Sequence, residues 1–206
     1  MLIDISRPIH SNMALYPNNP AAVLESVQTA ANNQSGLTRI ALGSHAGTHI
    51  DALAHIAAEG SGIEAFQLEQ YIGHVDVVEI PSNITTITAQ DIPKTTAHRI
   101  IFKTANSRHP IDNFRPDFTA LDESAAQELM NRDIVLVGID ALSIKKKGMR
   151  DRVHEILLHA NVVILEGLYL AGVEAGQYQL ICLPLSIAHI DGVPARAVLA
   201  PLTEAL

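Results

Sequence analysis

Short apolar segments at close intervals dominate this sequence and restrict the folds that it can adopt. Nine of them have the length, the β-branched content or the alternation of apolar and polar residues that is typical of strands. These segments cover residues 2–6, 21–28, 37–45, 74–80, 98–105, 133–139, 162–168, 178–186 and 195–202. Helix patterns are fewer and cover residues 119–131, 152–160 and a shorter piece within 62–72. Because so few helices cannot connect every pair of strands in parallel, we predict an α/β fold with a mixed sheet.

The composition indicates one soluble globular domain spanning residues 1–206, since 48% of the residues are hydrophobic and 17% are charged. We find no linker that would divide the chain, and we predict a surface loop at residues 105–118, which contain two prolines. The sequence shows neither a signal peptide nor the apolar stretch of about 20 residues that a membrane span requires. The net charge of -8 disfavours a nucleic-acid partner. A single cysteine, Cys182, suits a reducing compartment, so we expect a cytoplasmic protein.

The segment SHAGTHIDALAHI concentrates three histidines and one aspartate, which are His45, His49, Asp51 and His55. Such groups bind zinc, move protons near neutral pH, or occur together by chance. On a helix, Asp51 would face away from the first two histidines, and on a strand those histidines would lie about 13 Å apart at about 3.3 Å per residue. A shared metal therefore requires a bend after His45, which Gly47 can supply. His55 would then face the same cavity without being a ligand.

Other reactive side chains have simpler explanations, with one exception. We interpret as structural the histidines at six further positions: His10, His74, His98, His109, His159 and His189. The run from Lys145 to Lys147 is typical of a solvated loop, and Cys182 is expected to be a small buried hydrophobic residue. The exception is Glu166, which interrupts the apolar run VVILEGLYL. A carboxylate buried there would be costly unless it were paired or bound to a metal.

The segment HAGTHIDALAH resembles the H-x-G-T-H-x-D-x-P-x-H signature of the metal-dependent cyclase family, which includes kynurenine formamidases. The resemblance extends over most of the chain, through IDISRPIHSNMALYP, LVGIDALSI, HEILLHANVVILEGL and YQLICLPLSIAHIDGVPARAVL. It implies an α/β fold of the swivelling β/β/α type, with a partly barrel-like mixed sheet and a few helices. It also implies a homodimer that acts on a small molecule.

A metal centre is a further implication of the resemblance. The positions that match its ligands are two carboxylates and three histidines, namely His45, His49, Asp51, His154 and Glu166. The match implies two zinc ions per chain, with both carboxylates able to touch both ions. Mixed imidazole and carboxylate ligands suit zinc, although Mn²⁺ or Fe²⁺ would also be accommodated. His55 matches the catalytic histidine of the family, and we expect it to shuttle a proton.

The chain departs from the family pattern around the substrate. Tyr16 stands where kynurenine-specific members have a tryptophan and is expected to bind substrate, residues 17–19 replace a common Pro-Gly-Asp, and Leu53 replaces the signature proline. We predict a hydrolase that uses a metal-bound hydroxide to cleave the C–N bond of an aryl formamide or small amide, with an N-formylkynurenine-like substrate favoured. The alternatives are a ring-closing cyclase or lyase, an isatin-hydrolase-like enzyme on the same metal site, and a metal-binding protein without catalysis.

Overall fold

The structure is a computed structural model that describes residues 1–31, 34–146, 148 and 151–202. In these residues the strands are β1 (Ile3–Asp4), β2 (Val23–Gln28), β3 (Leu37–Ala41), β4 (His49–Asp51), β5 (Ile72–Glu79), β6 (Thr86–Ile87), β7 (Arg99–Lys103), β8 (Ala120–Leu121), β9 (Leu136–Ile139), β10 (Val163–Glu166), β11 (Gly176–Pro184) and β12 (Gly192–Pro201). The α-helices are α1 (Leu68–Tyr71), α2 (Glu123–Asn131) and α3 (Val153–His159). None of the helices in the described part of the chain has the length and apolar character needed to cross a membrane.

The main sheet closes on itself. Its strands follow the order β12-β11-β5-β7-β9-β10-β4, and β4 pairs again with β12, while β1 is added outside along β12. The pairs β5–β7, β7–β9 and β9–β10 are parallel, and the other pairs of this ring are antiparallel. The predicted mixed, partly barrel-like sheet is therefore confirmed. Closure matters for function because it pairs β4 on both of its edges, which buries all three of its residues.

Helices α2 and α3 pack against each other beside the sheet. Helix α2 begins after Asp122, whose side chain accepts a hydrogen bond from the Ala125 N–H at 3.0 Å. Helix α3 buries Val153, His154, Leu157 and Leu158, a spacing that forms one helical face. His154 thus lies on the face that is turned toward the protein interior. This placement contradicts the exposed position that a histidine near a helix N-terminus would ordinarily take.

Several predicted boundaries were wrong, and short strands explain most of the errors. The segment predicted as a helix from residue 119 begins instead as β8, because the Leu121 N–H donates to the Ile144 carbonyl at 2.9 Å and the strand pairs with β6. The strand predicted over 37–45 ends at Ala41. Strand β4 was not predicted, because three residues are too few to show an alternation of apolar and polar side chains. The helix predicted within 62–72 is a 3-10 turn at Ile63–Ala65 followed by α1.

Residues 105–118 were predicted to form a surface loop, but their beginning is anchored in the interior. Asp140, which follows β9 and is fully buried, accepts five hydrogen bonds from this region. The donors are the N–H and Oγ1 of Thr104, the Nδ2 of Asn106, and the N–H and Oγ of Ser107, at 2.7–3.2 Å. Five donors satisfy a buried carboxylate, so Asp140 fixes the loop to the sheet. Cys182 is fully buried as predicted, and burial raises the pKa of its thiol to about 12.

Strands β2 and β3 form a separate two-stranded sheet that projects from the barrel. Every residue of both strands is exposed. Among them are five large apolar side chains, those of Val23, Leu24, Val27, Leu37 and Ile40. An isolated pair of strands is marginally stable in water, and successive residues such as Val23 and Leu24 place exposed apolar side chains on both faces of this pair.

Candidate metal centre

The pairing of β4 with its neighbours positions the centre. His49 and Asp51 alternate with Ile50 and therefore point to the same side of the strand. In the antiparallel pair β4–β10, His49 is the direct partner of Glu166. In the pair β4–β12, Asp51 is the direct partner of Gly192. The register of the closed sheet therefore brings Glu166 to His49 and Asp51.

Glycines at the entrance to β4 make the predicted bend. Gly47 has φ +65°, which turns the chain between His45 and His49, as the sequence predicted. Gly167 has φ +69°, and a Cβ atom there would lie 2.1 Å from the Gly47 carbonyl oxygen, so a side chain cannot be placed at this crossing. Thr48 joins the two segments, because its Oγ1 donates to the Gly167 carbonyl at 2.6 Å and accepts from the Arg7 N–H at 2.8 Å.

All five predicted ligands converge. His49 Nε2 lies 3.3 Å from Glu166 Oε2 and 3.5 Å from Asp51 Oδ1. His154 Nε2 lies 3.3 Å from Glu166 Oε1 and 3.3 Å from Asp51 Oδ2. His45 Nδ1 lies 2.7 Å from Asp51 Oδ1. Each carboxylate therefore stands between histidines, an arrangement in which one carboxylate can reach two ions.

Unsatisfied buried atoms mark the place of a cation. His49 Nε2 and Asp51 Oδ2 are buried without a hydrogen-bond partner. The other ring nitrogen of His49, Nδ1, lies 3.0 Å from the Gly47 carbonyl and donates its proton there, which leaves a lone pair on Nε2. A lone pair and a carboxylate oxygen buried together are costly in an apolar interior but are satisfied by a divalent cation. The donor set therefore fits a metal.

Geometry also suggests where ions would be held. One set of ligand atoms, from His45, His49 and Asp51, lies within 4.8 Å of one another. A second set comes from Asp51, His55 and His154, and a third comes from His45, His55 and Asp191. The first two sets share Asp51, which is fully buried. Two neighbouring cation positions are consistent with these distances.

Protonated histidines supply positive charge beside the two carboxylates of this cluster. Burial alone would lower the pKa of His45, but hydrogen bonds with Asp51 and Asp191 raise it to about 9. Burial likewise opposes the charge on His154, but the nearby carboxylates of Asp51 and Glu166 raise its pKa to about 10. Despite their burial, both of these carboxylates have lowered pKa values because histidines donate to them. The two carboxylates are therefore negatively charged and are stabilised by cationic partners.

His55 differs from the other histidines of the cluster. It ends a 3-10 turn, Leu53–His55, that is closed by a hydrogen bond from the His55 N–H to the Ala52 carbonyl at 2.9 Å. Leu53 in place of the signature proline therefore leaves this turn hydrogen-bonded. The ring is exposed and lies 4.2 Å from the His45 ring between centroids. Desolvation lowers the pKa of His55, and the charges of His45 and His154 add to this effect while those of Asp51 and Glu166 oppose it, so the net shift favours the neutral ring, which can accept a proton.

A cavity of about 260 Å³ opens onto the cluster. Tyr16 lines it and packs edge-on against Phe114, with ring centroids 5.5 Å apart. Burial raises the pKa of Tyr16, and the charge of Glu166 adds to this effect. Lys145, which is half-buried, also lines the cavity. Its ammonium group is held 3.3 Å from an Asp151 carboxylate oxygen, and Lys147 lies outside the described residues.

Sequence reasoning assigned no role to two acidic residues near the cluster. Glu155 lines the cavity, and its Oε2 is buried without a hydrogen-bond partner. Asp191 lies beside His45, with its Oδ2 atom 2.8 Å from His45 Nε2. The sequence block HIDGVPARAVL contains Asp191, but no spacing relates it to the histidine segment. Only the pairing of β4 with β12 places it there.

Comparison with known proteins agrees with this architecture. Residues 3–146 match the sequence profile of the family described as "Putative cyclase". The chain belongs to this cyclase family. It is 32% identical to a kynurenine formamidase of Salinibacter ruber over 206 residues, covering 96% of each chain. It is also 32% identical to a kynurenine formamidase of Maricaulis maris, covering 97% of each.

Solved structures of the cyclase fold superpose on nearly the whole chain. One, described as a potential metal-dependent hydrolase with cyclase activity, is 31% identical, has a TM-score of 0.85, and aligns over 97% of this chain and 96% of the other. An isatin hydrolase bound to the product analogue thioisatinate has a TM-score of 0.83 at 20% identity, with 98% and 92% covered. The second likeness shows the fold alone.

Proposed function

We propose that residues 1–206 form one metal-dependent hydrolase domain that cleaves the C–N bond of an aryl formamide or small amide. The observation that carries this proposal is the convergence of His45, His49, Asp51, His154 and Glu166 around unsatisfied buried atoms, at the base of an open cavity. Kynurenine formamidases related over nearly the full length of the chain support an N-formylkynurenine-like substrate and a place in tryptophan catabolism.

The five ligands would hold two zinc ions, with Mn²⁺ and Fe²⁺ as the other metals that this donor set accommodates. His45, His49 and Asp51 would hold one ion, His154 would hold the other, and Glu166 lies between them. When bound, the metal supplies an acidified water and positive charge for the carbonyl oxygen. Structural zinc sites are closed by protein ligands, whereas this cluster opens onto a cavity, which favours a catalytic role.

The chain's own residues would bind the substrate and move the proton. Tyr16, supported by Phe114, offers an aromatic wall against which an aryl group can pack. Lys145 borders the same cavity, but its ammonium group is paired with Asp151, so it brings no unpaired positive charge to the substrate. His55, neutral and exposed beside the ligands, would accept a proton during attack and return it to the departing amine, which is a poor leaving group unless protonated.

The decisive experiment is a substrate panel assayed with metal-free and zinc-reconstituted protein. The panel contains N-formylkynurenine, simpler aryl formamides, isatin and lactones. We expect zinc-dependent hydrolysis with aryl formamides ahead of the cyclic compounds. Absence of zinc-dependent turnover on every compound, in protein shown to bind zinc, would contradict the hydrolase proposal and leave a non-catalytic metal-binding protein.

A ring-closing cyclase or lyase would use the same residues, and the products of the panel separate it from a hydrolase. Hydrolysis consumes water and either releases formic acid from a formamide or opens a cyclic amide to a single carboxylic acid, whereas ring closure releases water and yields a cyclic product. Mass spectrometry of the product distinguishes the two. Preference for isatin over aryl formamides would move the assignment to the isatin-hydrolase-like alternative.

We also propose that the protein is a cytoplasmic homodimer. The exposed apolar side chains of β2 and β3 support the dimer, since a second copy would cover a surface that is unfavourable in water. The lone cysteine supports the cytoplasm, because it is buried and makes no disulfide.

A further inference from the structure

Asp191 is a half-buried carboxylate that faces the candidate metal centre from outside the ligand set. Its Oδ2 atom lies 2.8 Å from His45 Nε2 and accepts a hydrogen bond from Ser44 Oγ at 3.2 Å. The same oxygen lies 4.0 Å from His55 Nδ1. Its backbone is fixed as well, because the Asp191 carbonyl accepts from the Ala52 N–H at 2.8 Å. This anchored oxygen is therefore within hydrogen-bond distance of His45, whereas His55 lies beyond that distance.

The two nitrogens of His45 face different partners. Nδ1 lies 2.7 Å from Asp51 Oδ1, on the side of the unsatisfied His49 Nε2, whereas Nε2 lies against Asp191. A neutral imidazole has one N–H and one lone pair. A metal ligand must keep its lone pair toward the metal, so the proton must reside on the nitrogen that has a separate acceptor. For His45, that acceptor is Asp191.

Gly192 supports the same placement of the ring. A Cβ atom at this position would lie 2.5 Å from His45 Cε1 and 2.9 Å from Nδ1. The ring thus packs directly on the backbone of residue 192, where only glycine leaves room. Gly192 is the strand partner of Asp51 and directly follows Asp191. The register of β4 with β12 therefore places the ligand Asp51, the space for the His45 ring and the acceptor Asp191 next to one another.

We propose that Asp191 is a positioning residue of the metal centre, whose carboxylate holds the proton of His45 on Nε2 and thereby aims Nδ1 at the metal beside Asp51. This inference rests on the proposed metal-dependent function. Carboxylates that accept from metal-bound histidines commonly raise metal affinity by about 10–100-fold. Asp191→Asn removes this effect with little change in shape, and its amide can donate to Nε2, which favours the wrong tautomer.

The test measures zinc affinity by chelator competition, independently of turnover. We expect Asp191→Asn and Asp191→Ala to bind zinc about 10–100-fold more weakly than the parent, with unchanged stoichiometry at saturating zinc. Asp112→Asn is the matched control, because Asp112 is a similarly exposed carboxylate that lies 2.9 Å from the Nε2 of another histidine, His10. We expect this control to retain the parental affinity.

Three results would overturn the inference. Zinc affinity of both Asp191 variants within about threefold of the parent would remove any positioning role, since the expected effect is about 10–100-fold. A lower stoichiometry at saturating zinc would make Asp191 a ligand. Long-range ¹H–¹⁵N spectra of the zinc-loaded parent provide a test without mutation, because they should show His45 protonated on Nε2, and protonation on Nδ1 would contradict us. A parent that binds no zinc would instead refute the proposed function.

Discussion

His49 and Glu166 are direct partners across the antiparallel strands β4 and β10, and their side chains meet at 3.3 Å. One residue comes from the histidine-rich segment and the other from a distant apolar run. Their contact depends on closure of the sheet, because β4 pairs with β10 on one edge and with β12 on the other. The candidate site is therefore assembled by the same strand register that closes the barrel.

Replacement of Glu166 by glutamine should lower the metal content. Glutamine keeps the shape of the side chain but loses its negative charge and one of the two carboxylate oxygens, of which Oε1 faces His154 and Oε2 faces His49 in the parent. Elemental analysis after dialysis measures the ions retained per chain. Glu79→Gln is the control, since Glu79 pairs with Lys103 on β5 and β7 away from the cavity. Parental metal content in Glu166→Gln would exclude Glu166 as a ligand.

His55→Ala should separate proton transfer from metal binding. We expect the variant to retain zinc and fold while its turnover falls about 10²–10⁴-fold, the usual contribution of general acid–base catalysis. The limb of the pH–rate profile that reports this histidine should also disappear. His49→Ala should lose metal and activity together. Loss of zinc in His55→Ala would show that His55 is a ligand, a role that is geometrically possible because its ligand atom lies within 4.8 Å of those of Asp51 and His154. Near-parental turnover would show that His55 has no part in the mechanism.

The sequence was sufficient for the sheet type and for the residues that converge, but for different reasons. Strand periodicity and the shortage of helices predicted the mixed sheet, and most strands were found near their predicted positions. The bend at Gly47 followed from elementary geometry, because neither a helix nor a strand could gather His45, His49 and Asp51. The convergence of His154 and Glu166 with them was implied by the family resemblance alone, since no local spacing connects them.

What the sequence could not provide depends on tertiary pairing. A three-residue strand such as β4 has no measurable period, and its burial comes from strands far away in sequence. Asp191 reaches His45 through the same long-range register, so its role was invisible in HIDGVPARAVL. Asp140 was likewise missed, because a buried carboxylate cannot be distinguished from a surface one until its five donors are in place.

Asp140→Asn should destabilise the fold without removing metal. Asp140 Oδ2 accepts from the Thr104 and Ser107 N–H groups and from Ser107 Oγ, so an amide NH₂ in that position would face donors. If the Asn side chain is flipped so that its oxygen faces these three donors, its NH₂ group faces the two donors that contact Oδ1 in the parent. We expect a loss of about 2–4 kcal/mol in the free energy of unfolding, measured with urea. Asp4→Asn, at an exposed pair with Arg196, should change stability by less than about 1 kcal/mol. Equal effects would contradict this account.

Stability of the metal-free protein should fall at alkaline pH. The pKa values of His45 and His154 are raised from 6.5 to about 9 and about 10, so the folded state binds these protons more tightly than the unfolded state. Their contribution is complete below pH 6.5 and is lost as the pH rises through 9 and then 10. Urea unfolding of chelator-treated protein at pH 7 and pH 10 measures the loss. His154→Gln should show a smaller decrease, and a metal-free parent that is equally stable at both pH values would contradict the expectation.

The exposed strands β2 and β3 should determine the oligomeric state. If a second copy covers their apolar side chains, the native mass measured by light scattering is twice the 22.2 kDa of one chain. Ile40→Lys places a charge in that surface and should yield a monomer, because an unpaired charge buried at an interface costs several kcal/mol. Leu68→Lys is the matched control, since Leu68 is apolar and about as exposed as Ile40 but belongs to α1. A monomeric parent would show that β2 and β3 are not an interface. The same conclusion would follow if Leu68→Lys dissociated the dimer and Ile40→Lys left it intact.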